Sequence, residues 1–401
     1  MDFQSYYSSP VRFLMTVSIV CSAALAQPLT RADAEARAGD LVALGRRLFF
    51  DPALSASGRQ SCASCHDPRF AYGPPNDLSV QFGGRDLRRQ GHRAAPSLRY
   101  LQKVPQFAEH FYDSEITGED SADNGPTGGL TWDGRVDRGR DQARIPLLSP
   151  DEMANASPAE IVKKALAAKY GSELRRLLRG GVFATILEAL EAFEQDEHEF
   201  YPYSSRYDAW LAGAASLTRS ELRGLELFRN PEKGNCARCH PADRGANGTP
   251  PQFTDYAFAA LGVPRNGEIR ANADPAWFDL GLCGPDRTDF LNRPEYCGKF
   301  RTPTLRNVAL RRAFFHNGVY HTLREAVAFY VQRDSKPIEP RFSDLPPQFW
   351  PNIETDRPFG VKTPVLSDDE IDSIVDFLGS LTDADARPVH AERDRSRSPA
   401  R

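Results

Sequence analysis

Two short stretches contain the residues best able to do chemistry, Cys62-Ala63-Ser64-Cys65-His66 and Cys236-Ala237-Arg238-Cys239-His240. On a helical turn, residues i, i+3 and i+4 share one face, so two thiols and one imidazole point the same way. Thiols at this spacing can add to the two vinyl groups of a haem, and the histidine then reaches the iron. The motifs therefore predict two covalently bound c-type haems, attached through Cys62, Cys65, Cys236 and Cys239, with His66 and His240 as metal ligands.

Two other interpretations of paired cysteines fit this sequence less well. A zinc ribbon places its two cysteine pairs roughly 15–20 residues apart, whereas these pairs lie in opposite halves of the chain. A thioredoxin-like dithiol needs a β-α-β setting, which the sequence lacks. We therefore interpret both motifs as haem sites.

The second axial face of each iron decides between electron carriage and catalysis, because Met or His closes that face while an empty one admits a small oxidant. The chain has three methionines, Met1, Met15 and Met153, and the first two lie in a predicted leader. Only Met153 remains, so at least one iron cannot have a methionine ligand. Four histidines stay open as alternative ligands, with His92 considered as a removable one: His92, His110, His316 and His321.

The elements that must position the motifs occur twice. The pattern Gly-x-x-Leu-Phe precedes each motif, at Gly45–Phe49 and at Gly224–Phe228, which indicates a duplicated domain. Each half also ends in an amphipathic helical pattern, Ile186–Phe193 and Ile371–Leu378, with Gly- and Pro-rich stretches between the helices. We predict a mainly α fold of two cytochrome c-like helical domains with long loops, each holding one haem.

The ends of the chain frame these domains. An apolar run from Phe13 to Leu25, followed by Ala26 in an Ala-x-Ala-like site, predicts a cleaved signal peptide and a periplasmic protein. The charged, Pro-containing end from Asp385 predicts a disordered tail. The predicted organisation is a signal peptide (1–26), an N-terminal domain (27–212), a C-terminal domain (213–384) and a tail (385–401).

The remaining cysteines, the net charge and the hydrophobicity of the chain limit the other functions that are possible. Outside the motifs and the leader, the chain has Cys283 and Cys297, which we expect to form a disulfide in an oxidising compartment. The net charge of −4 includes no basic stripe, so a nucleic-acid partner is not expected. After the leader, no segment has the ~18 consecutive apolar residues of a spanning helix, so no transmembrane segment is predicted. The sequence leaves the oligomeric state open.

Longer stretches around the motifs resemble the bacterial di-haem cytochrome c peroxidase and MauG family. The resemblance runs from about Leu41 to Thr382. The matching stretches are Gly45–Pro68, Ala95–Leu98, Trp132–Arg135, Pro150–Met153, the second haem motif and Arg301–Tyr330. It implies that the N-terminal haem reacts with peroxide and that the C-terminal haem passes electrons to it.

The same resemblance implies roles for single residues. Trp132 matches a relay between the haems, Gln142 a residue of the peroxide pocket, and Glu152 the acid/base that moves peroxide protons. Peroxidases of the family take a Met ligand fourteen residues after the His of a His-Asp-Gly stretch. Here that stretch is His316-Asn317-Gly318 and the position is Tyr330, as in MauG. A phenolate ligand favours ferric iron, which implies a lower reduction potential for the second haem.

Calcium between the haems is doubtful on the same comparison. The family takes one calcium ligand from an Asn two residues before Pro96, where this chain has Ala94. It takes carbonyl ligands from a Thr-x-Pro stretch that here reads Arg311-Arg312-Ala313. The predicted cofactors are therefore two covalent haems, with calcium in doubt.

Three functions compete at this point. The first is an exported haem peroxidase that reduces hydrogen peroxide to water with electrons from a small periplasmic donor protein. The second keeps the peroxide chemistry but oxidises side chains of a partner protein, as MauG does, and Tyr330 favours it. The third is a non-enzymatic di-haem electron carrier, which needs two closed irons and is disfavoured by the scarcity of Met.

Overall fold

The computed structural model describes residues 30–110, 125–245, 248–333, 343–354 and 365–386. The predicted signal peptide lies outside this part of the chain. The α-helices and strands are α1 (Arg31–Phe49), β1 (Phe82–Gly83), β2 (Arg89–Gln90), α2 (Gly139–Leu148), α3 (Pro158–Ala167), α4 (Gly171–Arg176), α5 (Val182–Glu194), α6 (Glu197–Phe200), α7 (Arg206–Leu211), α8 (Arg219–Arg229), β3 (Phe258–Ala260), β4 (Lys299–Arg301), α9 (Leu323–Arg333) and α10 (Asp368–Gly379). The predicted mainly helical class with long loops is confirmed.

The N-terminal half is built on the crossing of α1 and α5. A capping box between Thr30 and Asp33 starts α1, because each side chain accepts a hydrogen bond from the other residue's amide. At the crossing the two backbones touch, and a Cβ on Gly45 would lie 1.9 Å from the carbonyl oxygen of Ala189. Only glycine allows this approach. The predicted apolar face of α5 is buried against α1: Ile186, Leu187, Leu190 and Phe193.

The C-terminal half repeats this crossing with α8 and α10. Capping boxes start both helices, at Thr218 for α8 and at Ser367 for α10. A Cβ on Gly224 would lie 1.9 Å from the carbonyl oxygen of Ser373. The repeated Gly-x-x-Leu-Phe pattern therefore encodes the same close helix contact twice.

Each half has its own hydrophobic core. The first core includes Leu44 and Phe193, and the second includes Phe228 and Ile374. Tyr207 of α7 belongs to the second core, although the predicted boundary assigns it to the N-terminal domain. The division into 27–212 and 213–384 stays a prediction.

The four described strands form two short two-stranded sheets that pair loop segments, and they do not form a larger sheet layer. β1 and β2 pair antiparallel with Phe82 opposite Gln90, and β3 and β4 pair antiparallel with Ala259 opposite Phe300. Cys283 and Cys297 form the predicted disulfide, which closes the loop that precedes β4. Among the described helices, none combines the length and the apolar character needed to cross a membrane.

The end of the described chain returns to the N-terminal half. Arg99 Nη1 lies 2.9 Å from a carboxylate oxygen of Asp383, and the same guanidinium pairs with Asp385. The Tyr100 hydroxyl donates to Asp383 at 2.7 Å. Ala386 is fully buried, so the predicted start of the tail at Asp385 is too early by at least two residues. Residues 387–401 lie outside the described part.

Candidate haem sites and their surroundings

The first motif forms a single 3-10 turn, Cys62–Ser64. The amide of His66 donates to the carbonyl of Cys62 at 2.9 Å, which brings the imidazole onto the side of the two thiols. Its Nδ1 lies 3.1 Å from the carbonyl oxygen of Tyr72. Since a carbonyl can only accept, Nδ1 carries the proton and Nε2 keeps its lone pair for a metal.

The second motif has the same geometry. It forms the 3-10 turn Cys236–Arg238, and Nδ1 of His240 lies 2.8 Å from the carbonyl oxygen of Phe253. Burial lowers the pKa of both His66 and His240 to about 4. Both imidazoles are therefore neutral near pH 7, which is the form that binds iron.

A cavity of about 310 Å³ adjoins the second motif. Its wall is mostly apolar and includes Cys236, Cys239, His240 and Tyr330, with Trp132 supplied by the N-terminal half. Two thiols and a preoriented imidazole at the wall of an apolar cavity match what a covalent haem requires. The residues present thus fit the predicted cofactor.

Tyr330 lies on α9 and borders this cavity, with 43% of its surface exposed. Its ring packs against Phe329 and Phe315, at centroid distances of 5.5 and 6.0 Å. Although much of the side chain is accessible, the protein around the phenol desolvates it and raises the pKa of Tyr330, while the charge of Arg333 lowers it and Cys236 raises it. The structure therefore brings Tyr330 to the C-terminal motif, as its predicted role as a ligand requires.

Glu152 lies beside the first motif. Gln60 Nε2 lies 3.7 Å from Cys65 Sγ and donates to the carbonyl of Phe82 in β1 at 3.1 Å. The amide of Gly84, two residues further on, donates to the Glu152 carbonyl at 2.7 Å, so the loop beside β1 connects the backbone of Glu152 to the motif. The Glu152 side chain is accessible to solvent, yet the protein around its carboxyl desolvates it and raises the pKa of Glu152, although a hydrogen bond from Ser149 and the charge of Arg135 partly offset the rise.

Gln142 and Pro146 lie one turn apart on α2, and residues four apart share a helix face. The chain leaves α2 at Leu148 and reaches Glu152 four residues later, so the predicted pocket residues Gln142 and Glu152 lie on this helix and just after it. Met153 is buried in the first core, where it packs against apolar side chains.

Sequence reasoning missed the charged residues that the C-terminal half adds beside Glu152. Asp286 lies 3.0 Å from Arg135 Nη1 and 3.4 Å from His92 Nε2. Its charge raises the pKa of Glu152, so the two carboxylates share one environment. Although burial opposes it, the ion pair with His92 and the charge of Arg93 hold the pKa of Asp286 well below its usual range. The sequence pointed to His92 and to the Trp132–Arg135 stretch, but not to Asp286.

The histidines considered as alternative ligands have other partners. His92 is ion-paired with Asp286, and His316 stacks on Phe300 with ring centroids 3.5 Å apart. His321 lies 3.0 Å from the carbonyl oxygen of Arg312 through Nδ1. His110 is exposed beside Glu109, with its Nε2 3.6 Å from a carboxylate oxygen.

Trp132 connects the two halves. Its Nε1 donates to the carbonyl of Ala94 at 2.8 Å, and its own carbonyl accepts from the amide of Arg301 at 2.8 Å. Trp132 also lines the cavity beside His240. Its position suits the predicted relay, and the role itself stays a prediction.

A second acid, the partly buried Glu194 at the end of α5, was not predicted. Burial raises the pKa of Glu194 to about 8, with Glu191 contributing to the rise. The charge of Glu194 in turn contributes to the raised pKa of Cys62. No sequence pattern marked this glutamate, because its burial depends on how α5 packs beside the motif.

Comparisons with known proteins identify relatives over nearly the whole chain. A family model described as di-haem cytochrome c peroxidase matches residues 39–216. The methylamine utilization protein MauG of Paracoccus denitrificans is 31% identical over 404 residues, covering 94% of this chain and 98% of that protein. Cytochrome c551 peroxidase of Nitrosomonas europaea is 30% identical, covering 72% of each. The crystal structure of the diheme peroxidase BthA from Burkholderia thailandensis aligns with a TM-score of 0.75 and 39% identity, covering 87% of this chain and 88% of that one.

Proposed function

Because this chain belongs to the di-haem cytochrome c peroxidase family, we propose that it reduces hydrogen peroxide to water at the His66 site, with electrons passed from the His240 site. It is a haem-dependent oxidoreductase with two cytochrome c-like domains and two haem c groups. Each haem, when bound, supplies an iron that exchanges electrons and can accept an oxygen ligand. The observation that carries the proposal is the position of Glu152, whose carbonyl accepts from Gly84 in the loop that Gln60 connects to Cys65.

Glu152 would move the protons of the reaction. Hydrogen peroxide takes up two electrons and two protons and gives two molecules of water, so one oxygen must be deprotonated while the other leaves protonated. A carboxyl group whose pKa lies nearer to neutrality can accept the first proton and return it to the leaving oxygen. Gln142 would orient peroxide from α2.

Trp132 and Tyr330 would have different roles, one between the two haem sites and one at the second site. Trp132 spans the two halves through Ala94 and Arg301, which supports its role as the electron relay. Tyr330, as an anionic ligand at the second site, would favour ferric iron there. The His240 site would then act as the electron reservoir for the His66 site.

A peroxide titration of the fully reduced holoenzyme tests this proposal. Two ferrous irons hold the two electrons that one peroxide consumes, so we expect both haems to be oxidised together at one peroxide per chain. Electron paramagnetic resonance of the ferric protein should show one high-spin haem. Two low-spin haems at rest would instead point to a removable sixth ligand such as His92, whereas reduced protein that is not oxidised by stoichiometric peroxide would contradict the proposal.

A second candidate is peroxide-driven oxidation of side chains in a partner protein. It is favoured by Tyr330 beside the second motif and by the full-length match to MauG. Turnover with a reduced small cytochrome supports the peroxidase, whereas peroxide consumption only with a particular protein supports the alternative. We do not retain the non-enzymatic carrier, because the named relatives are peroxidases and MauG.

Periplasmic location is part of the proposal. It is supported by the predicted leader and by the Cys283–Cys297 disulfide, which suits an oxidising compartment. The donor would then be a small periplasmic electron-transfer protein. Fractionation of the native host with an antibody against the protein tests the location.

A further inference from the structure

Arg311 is a buried cation with no anionic partner. Its Nη1 donates to the carbonyl of Ala95 at 3.2 Å and its Nε to the carbonyl of Ala313 at 3.3 Å. Its Nη2 is buried and has no hydrogen-bond partner. Burial lowers the pKa of Arg311 to about 10, and no acid offsets that effect.

Arg311 lies between the two haem sites. It lines the same cavity as His240, and its charge contributes to the lowered pKa of His66. The carbonyl that it binds, that of Ala95, follows the Ala94 carbonyl that accepts from Trp132. One guanidinium thus adjoins the second cavity, the first motif and the relay residue.

Arg301 is a second guanidinium of this kind in the same cavity wall. Its Nε donates to the carbonyl of Thr131 at 3.1 Å, on the other side of Trp132. Burial lowers the pKa of Arg301 to about 10 as well. Within the described residues, neither Arg301 nor Arg311 forms an ion pair with an acidic side chain.

A buried charge without a counter-ion costs several kcal/mol, so buried guanidinium groups normally pair with carboxylates or phosphates. A haem has two carboxylate side arms, and Arg311 and Arg301 are two guanidiniums in this wall that have no ion pair among the described residues. We propose that Arg311 and Arg301 bind the two carboxylates of the haem held by His240. Arginine suits this task because its planar fork matches a carboxylate.

The same geometry bears on calcium. The residues at the position suggested by the family resemblance do not fit a divalent cation, because Ala94 has no side-chain oxygen and Arg311 takes the carbonyls of Ala95 and Ala313. Among the described residues, no group of acidic, His or Cys side chains could hold a metal ion either. Arg311 therefore supplies a covalently attached cation between the haems, and calcium is not required.

The reduction potential of the second haem tests the proposal. Arg311→Gln removes the cation that offsets the haem carboxylate, so ferric iron becomes favoured. We expect the equilibrium constant for reduction to fall about tenfold, a shift of about 59 mV to lower potential. Arg312→Gln is the matched control, because Arg312 is the exposed neighbour and its loss should leave the potential unchanged. Arg311→Lys should retain most of the wild-type value.

An unchanged reduction potential in Arg311→Gln, with both haems attached, would overturn the proposal. Equal shifts of the potential in Arg311→Gln and in the control Arg312→Gln would overturn it as well. If Arg311→Gln does not fold, Arg301→Gln carries the same expectation. Metal analysis of wild-type holoenzyme before and after chelation is a further test, since one tightly bound calcium per chain would contradict the role of Arg311. The inference rests on haem occupancy, not on peroxide chemistry, so loss of peroxide turnover alone would leave it standing.

Discussion

Replacing Glu152 by Gln tests the assignment of the peroxide site most directly. The substitution keeps the size of the side chain and leaves the backbone contact from Gly84 in place. It removes only the ability to accept and return a proton. Glu152 also lies near Arg135 and Asp286, whose ion pair does not depend on it.

The expected loss follows from the environment of the carboxyl. A positioned acid/base contributes about 10²–10⁴ in rate, and most when its pKa approaches the working pH. The protein around the carboxyl raises the pKa of Glu152 above its ordinary value of 4.5, and the middle of the general range gives an expected loss of about 10³, or about 4 kcal/mol of barrier. The wild-type rate should rise with pH through the pKa of Glu152, because the ionised form is the base. The variant should lose that rise.

Stopped-flow mixing of the fully ferrous holoenzyme with peroxide measures the rate across pH 5–8 as a function of peroxide concentration. Asp151→Asn is the matched control, because it removes one negative charge from the residue adjacent to Glu152. Asp151 forms an ion pair with Arg89 at the surface and has no proposed role in proton transfer. A Glu152→Gln rate within threefold of wild type, or an unchanged pH profile, would refute the acid/base role. Haem spectra before mixing show whether both cofactors remain attached.

Three further changes should have measurable effects. Gly45→Ala and Gly224→Ala place a Cβ 1.9 Å from a carbonyl oxygen, so overpacking should lower the free energy of unfolding by about 1–3 kcal/mol despite the better helix propensity of Ala, as denaturant titration would detect. Glu194→Gln should raise Tm progressively from pH 4.5 to about 8 and by a constant amount above. This follows because the folded carboxyl stays protonated up to its pKa of about 8 while the unfolded one ionises near 4.5; a gain equal at all pH values would contradict this. Tyr330→Met should raise the potential of the second haem, and spectroelectrochemistry that shows no rise would argue against a Tyr330 ligand.

Local signals predicted most of the framework. The haem motifs, the repeated Gly-x-x-Leu-Phe pattern and the buried faces of α5 and α10 each depend on residues within a few positions of one another. The reason for Gly45 was not predictable, because its contact at Ala189 lies on a helix far along the chain. The repeated pattern shows that a glycine recurs at this position. The reason, a close contact where α1 crosses α5, is visible only in the structure.

The candidate site also contains residues that the sequence could predict and residues that it could not. Glu152 and Gln142 could be assigned because the family resemblance covers their short stretches, whereas Asp286 reaches the first site from the other half of the chain. The Arg311 stretch appeared in the sequence only as the loss of calcium donors. Its positive role depends on burial and on the carbonyl of Ala95, which a linear sequence does not reveal.

The ion pair between Arg99 and Asp383 joins residues 284 positions apart. It adds a buried ion pair to the contacts that Trp132, Arg135 and Ala95 make with the C-terminal half. A cut in the segment near α7 would therefore leave two fragments that stay associated, while removal of the last turn before residue 387 would weaken that association. Because electron tunnelling weakens steeply with distance, these contacts would keep the haem separation, and with it the internal transfer rate, uniform from molecule to molecule.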